Sequence, residues 1–155
     1  MADQQQIDFK MQLKERCMFL IRDRMDSLRM AMNVAQDAAN EETKSSAGDK
    51  YETSRAMGHL EKDMYARQLA ETGKEMASLM SVDCSILYTT VSPGSFVTCE
   101  NISYFILAGI GKINFNGASI YVISPNAPVA KSLLGKMKGD YVTINNGIHQ
   151  IKEII

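Results

Sequence analysis

The sequence predicts an α+β protein in which a long antiparallel helical hairpin precedes an antiparallel β-sheet domain with one short helix. Up to residue 80 there is no proline, and apolar residues recur at intervals of three and four, the spacing of a coiled-coil helix. After that point come all three prolines and most of the glycines and β-branched residues. That composition is typical of strands joined by turns.

The first helix is predicted from about Asp3 to about Glu42. Asp3 and Gln6 have the spacing of a capping pair, which satisfies free backbone N–H groups at a helix start. At about 1.5 Å per residue, this helix would be roughly 55–60 Å long and would need a partner for its apolar stripe. Lys14 interrupts that stripe, which consists of Ile7, Met11, Met18, Ile21, Met25, Leu28, Met32, Ala35 and Ala39.

A second helix is the nearest partner. The polar segment 43–48 separates the two apolar stripes, and so short a connection between long helices predicts an antiparallel hairpin. Basic residues along both helices are expected to form a solvated face: Lys14, Arg16, Arg22, Arg24, Arg29, Arg55, Lys62 and Arg67. The second stripe consists of Met57, Leu60, Met64, Leu69, Met76, Leu79 and Met80.

The second half predicts six strands, at residues 85–90, 95–100, 102–107, 119–123, 141–145 and 149–154. A hairpin turn is expected at residues 145–147, Asn-Asn-Gly, because Asn and Gly tolerate positive φ. A short helix fits between Ser124 and Leu134, with Ser124 as its cap, Pro125 at its first position and Gly135 at its end. The predicted core is Ile86, Val97, Ile106, Val122, Leu133, Val142 and Ile151.

The composition limits the function classes. The net charge of −1 gives no overall attraction to nucleic acid or to an anionic membrane. There is no leader-like start and no run of about 18 apolar residues, so we expect a cytoplasmic protein with reduced thiols and no membrane partner. Cys17, Cys84 and Cys99 are too widely spaced for a zinc knuckle, and the last two are expected to fill core space. His59 and His149 are expected to be structural or surface residues.

Two stretches resemble the Gre family of bacterial transcript-cleavage factors. Residues 124–140, SPNAPVAKSLLGKMKGD, are similar to the C-terminal signature in which Ser-Pro leads into an Ala-Leu-Leu-Gly-Lys helix end and then Gly-Asp. Residues 48–52, GDKYE, place Asp49 and Glu52 at the two acidic positions of the family's hairpin tip. The resemblance covers the whole chain. It implies a coiled-coil hairpin at residues 1–80, with its tip at about 43–52, and an FKBP-like domain at residues 81–155.

The resemblance also implies a function. Gre factors rescue RNA polymerase that has backtracked, by inserting their hairpin through the secondary channel of the enzyme toward the RNA 3′ end. The tip carboxylates help to hold a second Mg²⁺ at the polymerase active site, and the polymerase then cleaves its own RNA. The implied partners are therefore RNA polymerase and, indirectly, the nascent RNA. The protein would stimulate a nuclease rather than be an enzyme itself, and it would have no small-molecule substrate.

The residue types agree with this chemistry. Mg²⁺ binds hard oxygen ligands and often takes only one or two carboxylates, with water and phosphate completing its shell. Asp49 and Glu52 are three residues apart, so at a helix start they lie on the same side. The same spacing also fits a capping box, in which both side chains satisfy backbone N–H groups.

Two departures from the family pattern keep other functions open. The tip continues TSRA at residues 53–56, where the family continues Asn-Ala-Glu-Tyr after its Glu, and residues 109–117 lack the family's acidic docking stretch. A regulator that occupies the channel without causing cleavage is one alternative. A structural coiled-coil module that binds an unrelated partner or dimerises is another. Prolyl isomerase activity would follow only from fold analogy, and the chain has no Trp.

Overall fold

The computed structural model describes the main chain of residues 1–42 and 49–155, and the side chains of all of these except 41, 42, 49–51 and 54. The described chain forms two compact units. Ile21–Lys74 is called the hairpin unit, and Met1–Leu20 with Glu75–Ile155 is called the sheet unit. The predicted division into a coiled-coil hairpin at residues 1–80 and an FKBP-like domain at residues 81–155 stays a prediction. None of the described helices is long and apolar enough to cross a membrane.

The two long helices are α1 (Ala2–Glu42) and α2 (Asp49–Ser81). Within the hairpin unit they run antiparallel. Lys62 donates a hydrogen bond from Nζ to Oε1 of Gln36 at 3.0 Å, whereas Leu28, nearer the start of α1, lines a groove with Thr72, nearer the end of α2. Residue numbers therefore rise along one helix as they fall along its neighbour, which confirms the predicted antiparallel pairing.

The buried face of α2 differs from the predicted stripe. Met57, Leu60 and Met64 are 58%, 67% and 40% exposed. Gly58 explains the shift, because a Cβ at this position would lie 2.8 Å from Cβ of Ala39, so the helices approach each other closely there. A row of buried or half-buried residues with coiled-coil spacing instead contains Gly58, Lys62, Tyr65, Leu69, Thr72, Met76 and Leu79.

The buried face of α1 also differs from the prediction near its start. Lys10, Leu13 and Cys17 are fully buried, whereas Met11 is 48% exposed. In the first three turns of α1, the buried stripe is therefore displaced by one residue from the predicted one. Lys10 is buried there, where Met11 was expected to be. From Ile21 onward the predicted positions are buried or half-buried.

The sheet unit contains a five-stranded sheet with strand order β3-β4-β2-β1-β7. The sheet is mixed, which corrects the predicted antiparallel sheet: β2 pairs with β4 in parallel, and the other pairs are antiparallel. The parallel pair arises because β3 turns back through a hairpin into β4, which then lies beside β2 in the same direction. Its strands are β1 (Phe96–Thr98), β2 (Ser103–Ile106), β3 (Gly111–Phe115), β4 (Ala118–Ile123) and β7 (Glu153–Ile154).

A separate two-stranded sheet is formed by β5 (Tyr141–Ile144) and β6 (Gly147–Gln150). The predicted turn between them is confirmed, since Asn145 and Asn146 have φ of 50° and 64° and join the paired residues Ile144 and Gly147. Two strand predictions are corrected, and one strand was not predicted. Residues 85–90 form no strand, because Thr90 makes only an isolated bridge, and the predicted strand at 149–154 is divided into β6 and β7. The strand that was not predicted is β3.

The short helix α3 (Pro128–Leu133) lies within the predicted interval. It begins after Ala127 with Pro128 at its start, so the predicted cap at Ser124 and first position at Pro125 are wrong. The Ser124 hydroxyl instead accepts a hydrogen bond from the main-chain N–H of Asn126, which makes a turn before the helix.

Six of the seven predicted core residues are buried in the sheet unit, as expected. Val97, Ile106, Val122, Leu133, Val142 and Ile151 are each 4% exposed or less. Ile86 is the exception at 46% exposed. Its main-chain carbonyl, rather than its side chain, makes the inward contact, because that oxygen accepts a hydrogen bond from Lys10.

The first turns of α1 pack on the sheet within the same unit. The Phe9 ring lies edge-on to Phe96 of β1 and Phe115 of β3, with ring centroids 5.1 and 5.8 Å apart. Edge-to-face pairs of this kind add to the free energy gained from burial alone. The start of the long helix is therefore part of the sheet unit's packing.

Candidate functional site at the start of α2

The candidate site is the acidic pair, Asp49 and Glu52. The described part of α2 starts at Asp49, so both residues lie in helical main chain at the N-terminal end of its described range. Side chains three residues apart on a helix are neighbours, with Cβ atoms about 5–6 Å apart. The Glu52 side chain is exposed. The predicted tip covers residues 43–52, of which residues 43–48 and the Asp49 side chain lie outside the described residues.

The acidic pair has two distinct possible uses. The exposed carboxylate of Glu52 can accept hydrogen bonds or bind a cation. In the capping-box alternative, both carboxylates would instead accept hydrogen bonds from the helix's own N–H groups.

The described residues contain no group of three or more His, Cys, Asp or Glu side chains arranged to hold a metal ion. A Mg²⁺ ion usually needs six oxygen ligands. The acidic pair offers two carboxylates, so a Mg²⁺ bound there would take its remaining ligands from water, from phosphate or from another protein.

Most of the basic residues along the helices are exposed. Arg22, Arg29 and Arg67 are exposed in the hairpin unit, and Arg29 forms an exposed ion pair with Asp26 at 3.1 Å. Exposed pairs of this kind contribute about 0.2–1 kcal/mol to stability. Lys62 is half-buried against Gln36, so it belongs to the packed face of α2 rather than to a solvated one.

Lys10 and Lys14 in the sheet unit play a structural role that the sequence did not indicate. Lys10 donates from Nζ to the carbonyl oxygen of Ile86 at 2.7 Å, and Lys14 donates to that of Val82 at 2.6 Å. Lys10 also lies over the Tyr88 ring, 4.9 Å from its centroid. Burial lowers the pKa of Lys10. The two lysines hold the segment that follows α2 against the side of α1 through these hydrogen bonds. Lys14 is therefore not part of a solvated face.

The cysteines fill space beside these lysines and in the sheet core. Cys17, Cys84 and Cys99 are free and buried, which agrees with the expectation for the last two. Burial raises the pKa of Cys17 to about 12 and also raises the pKa of Cys84 and of Cys99. A thiol of high pKa is protonated at neutral pH and is a poor nucleophile.

The Gre-like signature at residues 124–140 has a clear conformational basis. Gly135 and Gly139 have φ of 84° and 93°, a region that favours glycine. Gly135 donates its main-chain N–H to Val91, and Gly139 donates to Ile151. Asp140 accepts at Oδ2 from the N–H of Met137 and closes the turn between them. The signature therefore directs the chain from α3 into β5, and its glycines and aspartate are explained by the fold.

The segment at residues 109–117 contains no acidic residue, but α2 supplies one beside it. Glu75 accepts a hydrogen bond at Oε2 from the main-chain N–H of Gly109 at 2.6 Å. The remainder of the segment is mainly β3, whose Lys112 and Asn114 side chains are exposed. His59 is exposed and His149 is half-buried, and neither belongs to a metal-binding group among the described residues.

Comparisons with known proteins give a fold-level likeness of limited extent. No protein-family model and no curated protein sequence matches the chain. Among solved structures, the chain is similar to the GreA factor homolog 1 (Gfh1) protein of Thermus thermophilus, with 16% identity over 96% of this chain and 94% of that one and a TM-score of 0.34. It is also similar to a structure of the transcription factor Gfh1, with 17% identity over 90% and 89% of the two chains and a TM-score of 0.36. The α+β architecture described above rests on the chain's own helices and strands.

Proposed function

We propose that this protein is a Gre-like transcription factor that binds bacterial RNA polymerase in its secondary channel and stimulates cleavage of backtracked RNA. The observation that supports the proposal is the antiparallel pairing of α1 and α2, together with the position of Asp49 and Glu52 at the N-terminal end of the described α2. The Gre-like signature at residues 124–140 supports the same class of protein.

The chemistry follows from the number of ligands that the chain provides. Asp49 and Glu52 would hold a Mg²⁺ ion jointly with the polymerase, and that ion would activate water and stabilise the charge on the scissile phosphate. Side chains three residues apart lie on one side of a helix, so the two carboxylates would face a common ion. The protein would therefore complete a metal site instead of containing one.

A backtracked elongation complex with labelled RNA tests this directly. Addition of the protein with Mg²⁺ should shorten the RNA from its 3′ end and restore synthesis. The double substitution Asp49→Ala with Glu52→Ala should abolish the shortening. Glu61 and Asp63 are exposed acids on the same helix, so Glu61→Ala with Asp63→Ala removes equal charge as a matched control. Equal cleavage by wild type and the Asp49/Glu52 variant would contradict the role of the acidic pair.

A regulator that occupies the channel without causing cleavage is the second candidate, and the residue at position 55 favours it. The family has an acid at the position of Arg55, and a cation one turn after Glu52 would weaken Mg²⁺ binding there. Such a regulator would bind polymerase and change initiation or elongation without new RNA products. Failure to co-purify with polymerase would exclude both candidates and favour a structural coiled-coil module.

A further inference from the structure

Asparagine followed directly by glycine occurs twice in the sequence, at Asn116-Gly117 and at Asn146-Gly147. Such a pair is chemically labile, because the main-chain nitrogen of the glycine can attack the carbonyl carbon of the asparagine side chain. Glycine has no Cβ to hinder the approach, and the two groups belong to neighbouring residues, so their effective concentration is high. Which pair reacts in the folded protein therefore depends on how the fold holds each glycine nitrogen.

The first pair fills the loop of the β3–β4 hairpin. Asn116 and Gly117 have φ of 52° and 80°, the positive values of a type I′ turn. They lie between Phe115 and Ala118, the paired residues that close the turn. Within the described part of the chain, no hydrogen bond involves the main-chain N–H of Gly117, and both loop residues are exposed. The Gly117 nitrogen is therefore available for attack.

The second pair lies one residue later in its own hairpin. The loop residues of the β5–β6 turn are Asn145 and Asn146, and Gly147 is already the first residue of β6. Gly147 is paired with Ile144, and together they close this turn. In a two-residue hairpin turn the closing residues form a hydrogen-bonded pair, so the N–H of Gly147 donates to the carbonyl oxygen of Ile144. Its nitrogen must lose this hydrogen bond before it can attack Asn146.

We propose that Asn116 is a site of self-modification, at which the chain converts its own side-chain amide into a carboxylate. The main-chain nitrogen of Gly117 forms a bond to Cγ of Asn116, the Cγ–Nδ2 bond breaks, and ammonia leaves with the proton of the attacking nitrogen. Water then opens the resulting cyclic imide at either of its carbonyl carbons. The products are aspartate and isoaspartate, and the reaction consumes only water.

The modification changes the charge and the geometry of this hairpin. Residues 109–117 contain Lys112 and no aspartate or glutamate, so the new carboxylate would be the first acidic group of the segment. One additional negative charge changes the formal net charge from −1 to −2. Isoaspartate also adds one carbon to the main chain and so disturbs a turn that has only two loop residues. This inference goes beyond the proposed function and does not depend on it.

The experiment follows the full-length protein during incubation in mildly alkaline buffer. Peptide mass spectrometry measures conversion at Asn116 and Asn146, and fragmentation of the peptides separates isoaspartate from aspartate. In the folded protein, Asn116 should convert about fivefold faster than Asn146, because loss of the Gly147 hydrogen bond adds to the barrier at the second site. In denaturant, which removes both turns, the two rates should become similar.

One substitution transfers the reactive arrangement to the other hairpin. Asn146→Gly keeps a residue that accepts positive φ at this position and places a glycine directly after Asn145. That asparagine and the new glycine then occupy both loop positions of the β5–β6 turn, as Asn116 and Gly117 do between β3 and β4. Asn145 should therefore convert in the folded variant at a rate close to that of Asn116.

The matched control is Asn116→Gln, whose longer side chain closes a larger ring less readily. It should abolish conversion at this position and leave the rate at Asn146 unchanged. Equal rates at Asn116 and Asn146 in the folded wild type would overturn the proposal, and so would an unreactive Asn145 in folded Asn146→Gly. Circular dichroism of each sample confirms that the rates belong to folded protein.

Discussion

The sheet unit and the hairpin unit are held together by different kinds of residue. The sheet unit buries large apolar side chains completely, among them Phe105, Leu107 and Leu133. The hairpin unit packs small and polar residues between its helices, including Ala39, Gly58 and Thr72, and it leaves several large apolar side chains exposed. Those exposed residues are Met30, Val34, Met57, Leu60 and Met64.

Because of this difference, the two units are expected to respond differently to substitution. In the sheet unit, burial of apolar surface is the main stabilising term, so a loss of volume is costly. In the hairpin unit, close approach at Gly58 and the Lys62–Gln36 hydrogen bond set the pairing, while the exposed apolar residues contribute little to it. Substitutions should therefore affect mainly stability in the sheet unit and mainly binding on the exposed faces of the hairpin unit.

The largest expected effect compares two leucines. Leu133→Ala removes a fully buried side chain and should lower the free energy of unfolding by about 2–5 kcal/mol. Leu60→Ala removes one that is 67% exposed and should change it by no more than about 0.5 kcal/mol. Chemical denaturation followed by circular dichroism measures both. Equal losses would remove the distinction between the units.

The next effect compares two glycines of α2. Gly58→Leu should destabilise the protein by about 1–3 kcal/mol, because even its Cβ would meet Ala39 at 2.8 Å. Gly73→Ala meets no atom within 4 Å and should stabilise the helix by about 0.5–1 kcal/mol. Thermal unfolding of both variants provides the test. A tolerated Gly58→Leu would mean that the helices do not approach closely at this position.

A smaller effect concerns the one lysine that is fully buried in the sheet unit. The pKa of Lys10 is lower in the folded protein than its usual 10.5, so between these two values the unfolded chain binds more protons. Stability attributable to Lys10 therefore rises with pH across that interval and is least below the folded pKa. The free energy of unfolding of wild type minus that of Lys10→Met should rise as pH approaches 10.5. The exposed Lys131→Met is the control for replacing a lysine by methionine elsewhere in the sheet unit.

The smallest structural effect concerns thiol reactivity. Cys17, Cys84 and Cys99 are buried with raised pKa values, so iodoacetamide at neutral pH should modify none of them until the protein unfolds. Mass spectrometry of native and denatured samples measures the modification. Rapid labelling of Cys17 in the native protein would show that the α1 face in the sheet unit opens.

The sequence predicted the main elements because their signals are local. The Asn145-Asn146 turn and the left-handed Gly135 follow from side-chain chemistry within a few residues. The buried faces of the helices were less predictable, because they do not follow from counting apolar residues. Such a count does not reveal that Gly58 lets α1 and α2 approach closely, or that Lys10 is buried with a hydrogen bond to the Ile86 carbonyl oxygen. The parallel β2–β4 pair depends on how distant strands meet, which composition does not encode.

The candidate site divides in a similar way. A polar segment followed by a capping pattern predicts where Asp49 and Glu52 lie along the chain, and their role in a metal site stays a prediction. The roles of Lys10 and Lys14 could not be predicted, since their hydrogen bonds to the Ile86 and Val82 carbonyl oxygens join residues far apart in sequence.

The central claim is that the acidic pair completes a Mg²⁺ site with RNA polymerase. The most direct measurement is the rate of RNA cleavage in a backtracked complex as a function of Mg²⁺ concentration, with no factor, with wild type, with the Asp49/Glu52 variant and with the Glu61/Asp63 control. Wild type and control should raise the rate and lower the Mg²⁺ concentration needed for half-maximal cleavage, and the Asp49/Glu52 variant should return the curve to that of polymerase alone. A variant curve identical to that of wild type would contradict the account.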